Sequence, residues 1–159
     1  MIDLLLPDGT NRRPLVVGES PSWSPDDSEI IFHTCRDNRC GIYKVKSAGG
    51  NAVAISTDDG GLPTWSPDGT IIIYQKDVNG LKQLMTMNAD GTNVKQITSG
   101  SSMHVDAVYS SDGKSIFYRS PEGGTWGIWR MNADGTNPVK LVDNFPPVSW
   151  PYERLAISR

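Results

Sequence analysis

The sequence predicts an all-β propeller built of four-stranded antiparallel blades, and three observations predict it. First, an aromatic returns every 41 to 44 residues, at Trp23, Trp65, Tyr109 and Trp150; a period of about 40 to 45 residues is the mark of propeller blades. Second, a turn glycine keeps the same register at Gly9, Gly49, Gly91 and Gly135, followed two residues later by Asn11, Asn51, Asn93 and Asn137. Third, three apolar columns run in step: Ile2, Ile42, Leu84 and Ile128; Leu5, Val45, Met87 and Met131; Leu15, Ile55, Ile97 and Leu141. Helical periodicity is nowhere visible.

Each unit divides into four short strands. Strand A ends in the aromatic. A reversal follows at Pro67, Asp68 and Gly69, or Ser111, Asp112 and Gly113, where aspartate bonds its own backbone and glycine accepts positive φ. Strand B is a continuous apolar run, Ile71 to Tyr74 or Ile116 to Tyr118, and such a run without alternation implies burial on both faces. A variable hairpin comes next, with Asn79 and Gly80 as a strong turn signal. Strand C leads to the turn Asn88–Asn93 or Asn132–Asn137, and strand D closes the unit. Oxygen donors at Asn88, Asp90 and Thr92 invite comparison with a calcium loop, but no glutamate arrives where such a loop needs it. Turn formation accounts for these residues in every copy.

Sheets that are apolar on both faces cannot bury themselves, so neighbouring blades must cover them. A β-sandwich is the competing all-β arrangement, and it would not demand a repeat. The phrases Trp65-Ser-Pro-Asp-Gly69 and Asn88-Ala-Asp-Gly-Thr-Asn93, with weaker forms at 23–27 and 109–113, resemble the WD-like propeller repeat of the TolB family. Similar repeats occur in the propellers of prolyl-oligopeptidase-type peptidases. The resemblance spans essentially the whole chain, with departures at Asp27 and Ala48, at Ser111, and at Trp150-Pro-Tyr-Glu-Arg154. It implies six to eight blades, a protein-binding role in the bacterial envelope beside peptidoglycan-associated lipoprotein, and a periplasmic location for a processed chain.

The register divides residues 1–159 as one propeller unit: a half-blade of strands C and D at 1–17, blades at 18–57, 58–99 and 100–143, and a half-blade of strands A and B at 144–159. Two closures are open. One chain could pair its own half-blades into a four-bladed ring, or two chains could complete each other's half-blades in an eight-bladed homodimer. The reading favours the homodimer, with a piece of a longer propeller as the third possibility.

The 159 residues suffice for a proper core. Charged residues make up 21% and the net charge is -3, which leaves no basic field for nucleic acid. No apolar run approaches the roughly 18 residues of a membrane span. The first seven residues are too short for a signal peptide's apolar core, so as it stands the chain reads as cytoplasmic or already processed.

Sequence elements for catalysis are sparse. A Gly-x-Ser-x-Gly elbow, a His-Glu-x-x-His helix and a phosphate-binding glycine loop are all absent, and the reading assigns no catalytic residue, cofactor or metal. Binding candidates fall in the segments leading into strand A, which gather at one mouth of a propeller's channel: Glu19, Asp59, His104, Asp106 and Asn144. Loops on a rigid scaffold are where binding residues sit, and carboxylates beside a histidine suit a cation or a basic peptide. Trp126, in a glycine-rich hairpin, is the candidate contact aromatic; Trp129 reads as a partly buried outer-face position, and His33 as structural or exposed. Cys35 and Cys40 either face each other as a cross-strand disulfide or stand as free thiols. The leading expectation is a non-catalytic module binding a protein or peptide. The alternative is a small hydrolase or lyase with its site at the channel mouth.

Overall fold

The computed structural model describes residues 1–144 and residue 155. The expected half-blade of strands A and B, with Trp150, lies otherwise outside the described residues. A two-stranded sheet comes first, β1 (Ile2–Leu4) with β2 (Arg13–Val16). Three four-stranded antiparallel sheets follow in chain order: β3 (Glu19–Trp23), β4 (Glu29–Arg36), β5 (Arg39–Lys46) and β6 (Val53–Ser56); β7 (Gly61–Trp65), β8 (Ile71–Val78), β9 (Leu81–Asn88) and β10 (Lys95–Gln96); β11 (Val105–Tyr109), β12 (Ser115–Ser120), β13 (Gly127–Asn132) and β14 (Val139–Val142). No helix occurs among the described residues, so none is long and apolar enough to cross a membrane.

The turns form as their chemistry dictates. Between β7 and β8, Asp68 Oδ1 accepts the Ser66 hydroxyl at 2.6 Å and the Thr70 N–H at 3.0 Å. The same lock is built by Asp26 with Ser24 and Ser28, and by Asp112 with Ser110 and Lys114. Those hydrogen bonds, the Ser24 hydroxyl foremost, hold the Asp26 carboxyl down at about 2. Asp27 keeps the left-handed conformation of the glycine it replaces, at φ 59°. In the Asn88–Asn93 turn, Asp90 Oδ1 accepts the Thr92 N–H and hydroxyl, at 2.9 and 2.6 Å. The asparagine column has its own reason: Asn11, Asn93 and Asn137 sit at φ 55–56°, a region asparagine visits more readily than most residues.

Sheet-to-sheet packing builds the core in three layers. Ile2, Leu4, Leu15 and Val16 of the first sheet meet Ile30, Phe32, Tyr43 and Val45. Ile31 and Ile42 on the opposite face meet Trp65, Ile72, Tyr74, Met85 and Met87. Ile73 and Leu84 then meet Ala107, Ile116, Tyr118 and Met131. Alternate residues of each continuous run therefore serve opposite interfaces, and this explains why Ile72, Ile73 and Tyr74 are all buried. Trp129 belongs to this packing: it joins the last layer and stacks on Tyr118 at 6.4 Å between centroids, and Tyr43 and Met85 in its column are buried too. That column faces the preceding sheet, a correction to the outer-face expectation.

Close approach of backbone adds a second device. At Gly91, at φ 88°, a Cβ would stand 2.1 Å from the Ile55 carbonyl oxygen of the preceding sheet; at Gly135 it would stand 2.7 Å from the Ile97 oxygen. These two glycine turns thus seat on the last strand of the sheet before, or on the residue just after it. The inner edge is identified by contact: β3 meets β7, and β7 meets β11, with the Thr64 hydroxyl donating to the Ala107 carbonyl at 2.9 Å.

Candidate functional site

The three inner strands share a distortion at their first ends. Pairing with the next strand shifts register between Glu19 and Ser22, between Gly61 and Thr64, and between Val105 and Val108. Within these bulges Ser20, Leu62 and Asp106 adopt φ of 54°, 49° and 55°. Bulges re-aim side chains, and non-glycine residues in this region mark places where the surroundings hold a costly conformation. Ser20, Leu62 and Asp106 recur at the propeller period, yet share no side-chain type, so composition hides the column.

A cavity of about 210 Å³ opens beside two of these bulges, lined by Glu19, Ser20, His33, Asp59, Gly61, Leu62, Gln75 and Lys82. Glu19 Oε1 lies 2.9 Å from His33 Nδ1. Asp59 follows the end of the first full sheet, where its N–H donates to the Cys40 carbonyl; its carboxylate has no hydrogen bond or ion pair among the described residues and stands exposed in the cavity wall. Gln75 links the cavity to the third inner strand, because its Oε1 accepts the Asp106 N–H at 3.2 Å.

Of the candidates read from the sequence, the structure places Glu19 and Asp59 on this cavity. Asp106 is buried, with Oδ2 accepting the Leu155 N–H at 2.8 Å. His104 is buried between sheets: its N–H donates to the Lys82 carbonyl, Nδ1 meets Gln83 Oε1 at 3.0 Å, Nε2 faces Glu122 Oε2 at 3.4 Å, and its ring packs on Tyr118. Asn144 follows β14, with its N–H donating to Asp143. Trp126 is half-buried, whereas Trp23 is the tryptophan that stands 47% exposed. Trp23 lines a second concavity of about 790 Å³ at the other ends of the inner strands, with Trp65, Tyr109 and a set of serine and threonine hydroxyls. Among the described residues no three His, Cys, Asp or Glu side chains gather as a metal-holding group. Cys35 and Cys40 are direct partners across the β4–β5 hairpin and are joined by a disulfide.

Burial pushes the His104 pKa below its ordinary value, and Glu122 partly opposes the shift. A histidine whose folded pKa lies below its unfolded value stabilises the fold fully above the unfolded pKa, near 6.5, and this contribution is lost as pH falls through the folded pKa. The expected result is a histidine that titrates below the usual range by proton NMR, and lower still in Glu122→Gln. A His104 midpoint at or above that of an exposed histidine would contradict this placement.

Sequence reasoning left His33 without a partner and missed Gln75 and Lys82. His33 lies across from Glu19 and Gln75 across from Gly61 on paired strands whose register the bulges shift, and Lys82 stands on β9; no spacing rule signals them.

A model of the TolB beta propeller domain family matches residues 59–144. The Tol-Pal system protein TolB of Anaeromyxobacter dehalogenans is 29% identical over 109 residues, covering 64% of this chain and 25% of that protein. An uncharacterized protein of Agrobacterium fabrum is 28% identical over 103 residues, covering 61% of this chain and 35% of the relative. The chain therefore aligns with about a third or less of these relatives' lengths. Among solved structures, a putative TolB from Agrobacterium tumefaciens superposes with a TM-score of 0.80 at 23% identity, covering 89% of this chain and 56% of that one. TolB from Acinetobacter baumannii superposes at 0.73 with 25% identity, covering 85% and 35%.

Proposed function

Because the chain belongs to the TolB beta propeller domain family, we propose that it is a non-catalytic scaffold whose inner-edge cavity binds an extended segment of a partner protein. The observation that carries this reading is the cavity itself: room for one long side chain, two carboxylates in its wall, and a left-handed backbone on two neighbouring inner strands. Glu19 and Asp59 favour a lysine or arginine of the partner, and Lys82 and His33 offer donors to the partner's backbone carbonyls. Peptide recognition of this type sets affinity by main-chain bonds and specificity by side-chain pockets.

The cell compartment this reading favours is the periplasm of a bacterium. The Cys35–Cys40 disulfide supports it, since disulfides persist in oxidising compartments. The assembly it favours is an eight-bladed homodimeric ring, in which each chain supplies three full sheets and the two remaining blades are shared between the chains.

Selection of a displayed peptide library on the protein tests the binding site. Winners should carry a basic residue, and their affinity should fall about tenfold in Glu19→Gln with Asp59→Asn, which corresponds to the loss of roughly 1.4 kcal/mol. Equal binding to that double variant would move the site elsewhere, the aromatic concavity around Trp23 being the next place to look.

A further inference from the structure

The seams between full sheets are built on the same sequence columns, so their side chains can be compared position by position. Where the first and second full sheets meet, Trp65 packs at 9% exposure. Lys44 Nζ lies 3.2 Å from Glu29 Oε2 there, and its charge reaches Asp90 of the later sheet. The space left beside Trp65 and Glu29 is a cleft of about 220 Å³. Where the second and third full sheets meet, Tyr109 stands at the Trp65 position, Thr86 at that of Lys44, Ile71 at that of Glu29 and Asp134 at that of Asp90. The smaller ring and the two shorter side chains leave a cavity of about 550 Å³, whose lining residues all fall between Ser66 and Asp134. Both walls therefore belong to full sheets inside the chain.

The cavity has an apolar floor and a charged rim. Ile71, Met87, Ile97 and the Tyr109 ring supply the floor, and Asp68, Asp112 and Asp134 supply carboxylates. In each carboxylate Oδ1 accepts hydroxyl and N–H groups of its own turn, while Oδ2 has no hydrogen bond or ion pair among the described residues. The turns hold all three carboxyls below the usual range, led by the hydroxyls of Ser66, Ser110 and Thr136, so each is charged at neutral pH. Burial, and then the Asp68 charge, pushes the Tyr109 hydroxyl up to about 12, and the ring stays neutral. Lys95 is the cation among the lining residues and is exposed.

From this comparison we infer that the cavity between the second and third full sheets binds a small organic amine, as the ammonium ion, carrying an apolar body. The ammonium takes beside Asp134 the place that Lys44 holds beside Asp90 in the seam before, and Asp68 and Asp112 strengthen the same field. The body covers Ile71, Met87 and Tyr109, filling space that a tryptophan fills one repeat earlier. Three carboxylates against one lysine favour a cation over an anion. The volume is that of small-molecule sites, about 300–1,000 Å³, which are chiefly apolar with a few placed polar groups. This cavity lies at the opposite ends of the strands from the one holding Glu19 and Asp59, so it stands or falls separately from the peptide reading.

Titration of the full chain with phenethylamine, followed by amide NMR, provides the test. Saturable shifts are expected at Met87, Ile97 and Tyr109, and phenethyl alcohol and phenylacetate should each bind at least about tenfold more weakly. Tyr109→Trp and Thr86→Lys install the residues found at those positions in the first seam. Asp134→Asn removes a charge from an exposed turn and keeps an oxygen for the Thr136 hydrogen bonds, so it carries the test even where a change in the wall disturbs packing. All three should keep the far-ultraviolet spectrum and weaken amine binding about tenfold, whereas Asp90→Asn, the matching change in the first seam, should bind as the wild type does. No saturable shift with the amine, or equal binding of the alcohol, would overturn the proposal. So would an unchanged affinity in Tyr109→Trp and Asp134→Asn, since the amine would then sit elsewhere.

Discussion

Replacing Gly91 by alanine should lower unfolding stability by about 2–5 kcal/mol, the largest effect expected from a single methyl group in this protein. Two costs combine. The residue sits at φ 88°, where a Cβ costs about 1–2 kcal/mol. That Cβ would also stand 2.1 Å from the Ile55 carbonyl oxygen and 3.0 Å from its carbon, so the turn must lift off the preceding sheet, and overpacking of that kind costs about 1–3 kcal/mol. Backbone rather than a flexible side chain is the obstacle, so local adjustment offers little relief. Gly80→Ala carries the first cost alone, because Gly80 has φ 83° and a Cβ there meets nothing within 4 Å. Urea denaturation of the two variants should therefore give clearly different midpoints, with Gly80→Ala within about 1–2 kcal/mol of wild type. Equal losses would mean that the glycine column answers to turn geometry alone and that the sheets do not interlock through it.

Gln83→Leu is expected to cost about 3 kcal/mol although it preserves side-chain volume. The Gln83 side chain is buried at 2% exposure and its polar atoms are all used. Nε2 donates to the Ser102 carbonyl at 2.9 Å, while Oε1 accepts the Thr98 hydroxyl at 2.8 Å and faces His104 Nδ1 at 3.0 Å. Thr98 in turn accepts the Leu84 N–H at 2.8 Å. The amide therefore ties β9 to the chain that crosses from one sheet to the next, and leucine would leave several partners unpaired. Each buried orphan costs about 1–3 kcal/mol, and because they share one network the losses do not simply add. Half-buried Ser102 and Thr98 can regain water, whereas buried His104 cannot do so as readily, so its titration should change in the same variant. A loss below 1 kcal/mol with an unaltered His104 titration would show that this network does not tie the sheets together.

Much of the fold was legible because its causes are local or periodic. The Asp68 and Asp112 turns, the Asn79–Gly80 hairpin and the apolar runs each follow from the intrinsic preferences of a few adjacent residues. Register came from columns that repeat because each sheet meets the next through the same contacts. Even the departures are informative: Asp27 takes up its glycine's conformation, and Ser110 with Asp112 forms the turn without the proline. The candidate site was legible only in outline. Glu19 and Asp59 reach the cavity, whereas His104 and Asp106, from the same kind of segment, are buried between sheets. No local rule separates these pairs, because the side chains' directions follow from the bulges of the inner strands.

By itself the sequence determined the all-β class, the repeated four-strand unit, its turns and the residues that alternate between sheet interfaces, since hydrogen-bonding preference and apolar periodicity act within a few residues. Only the tertiary structure decided three things. His33, Gln75 and Lys82 join Glu19 and Asp59 around one cavity, Cys35 bonds to Cys40 rather than remaining a thiol, and Trp129 packs on Tyr118 against the preceding sheet rather than facing outward. The reason is physical: each depends on which side chains lie across from one another, on paired strands of one sheet for the cysteines and for Glu19 with His33, and otherwise on sheets separated in sequence by a whole repeat.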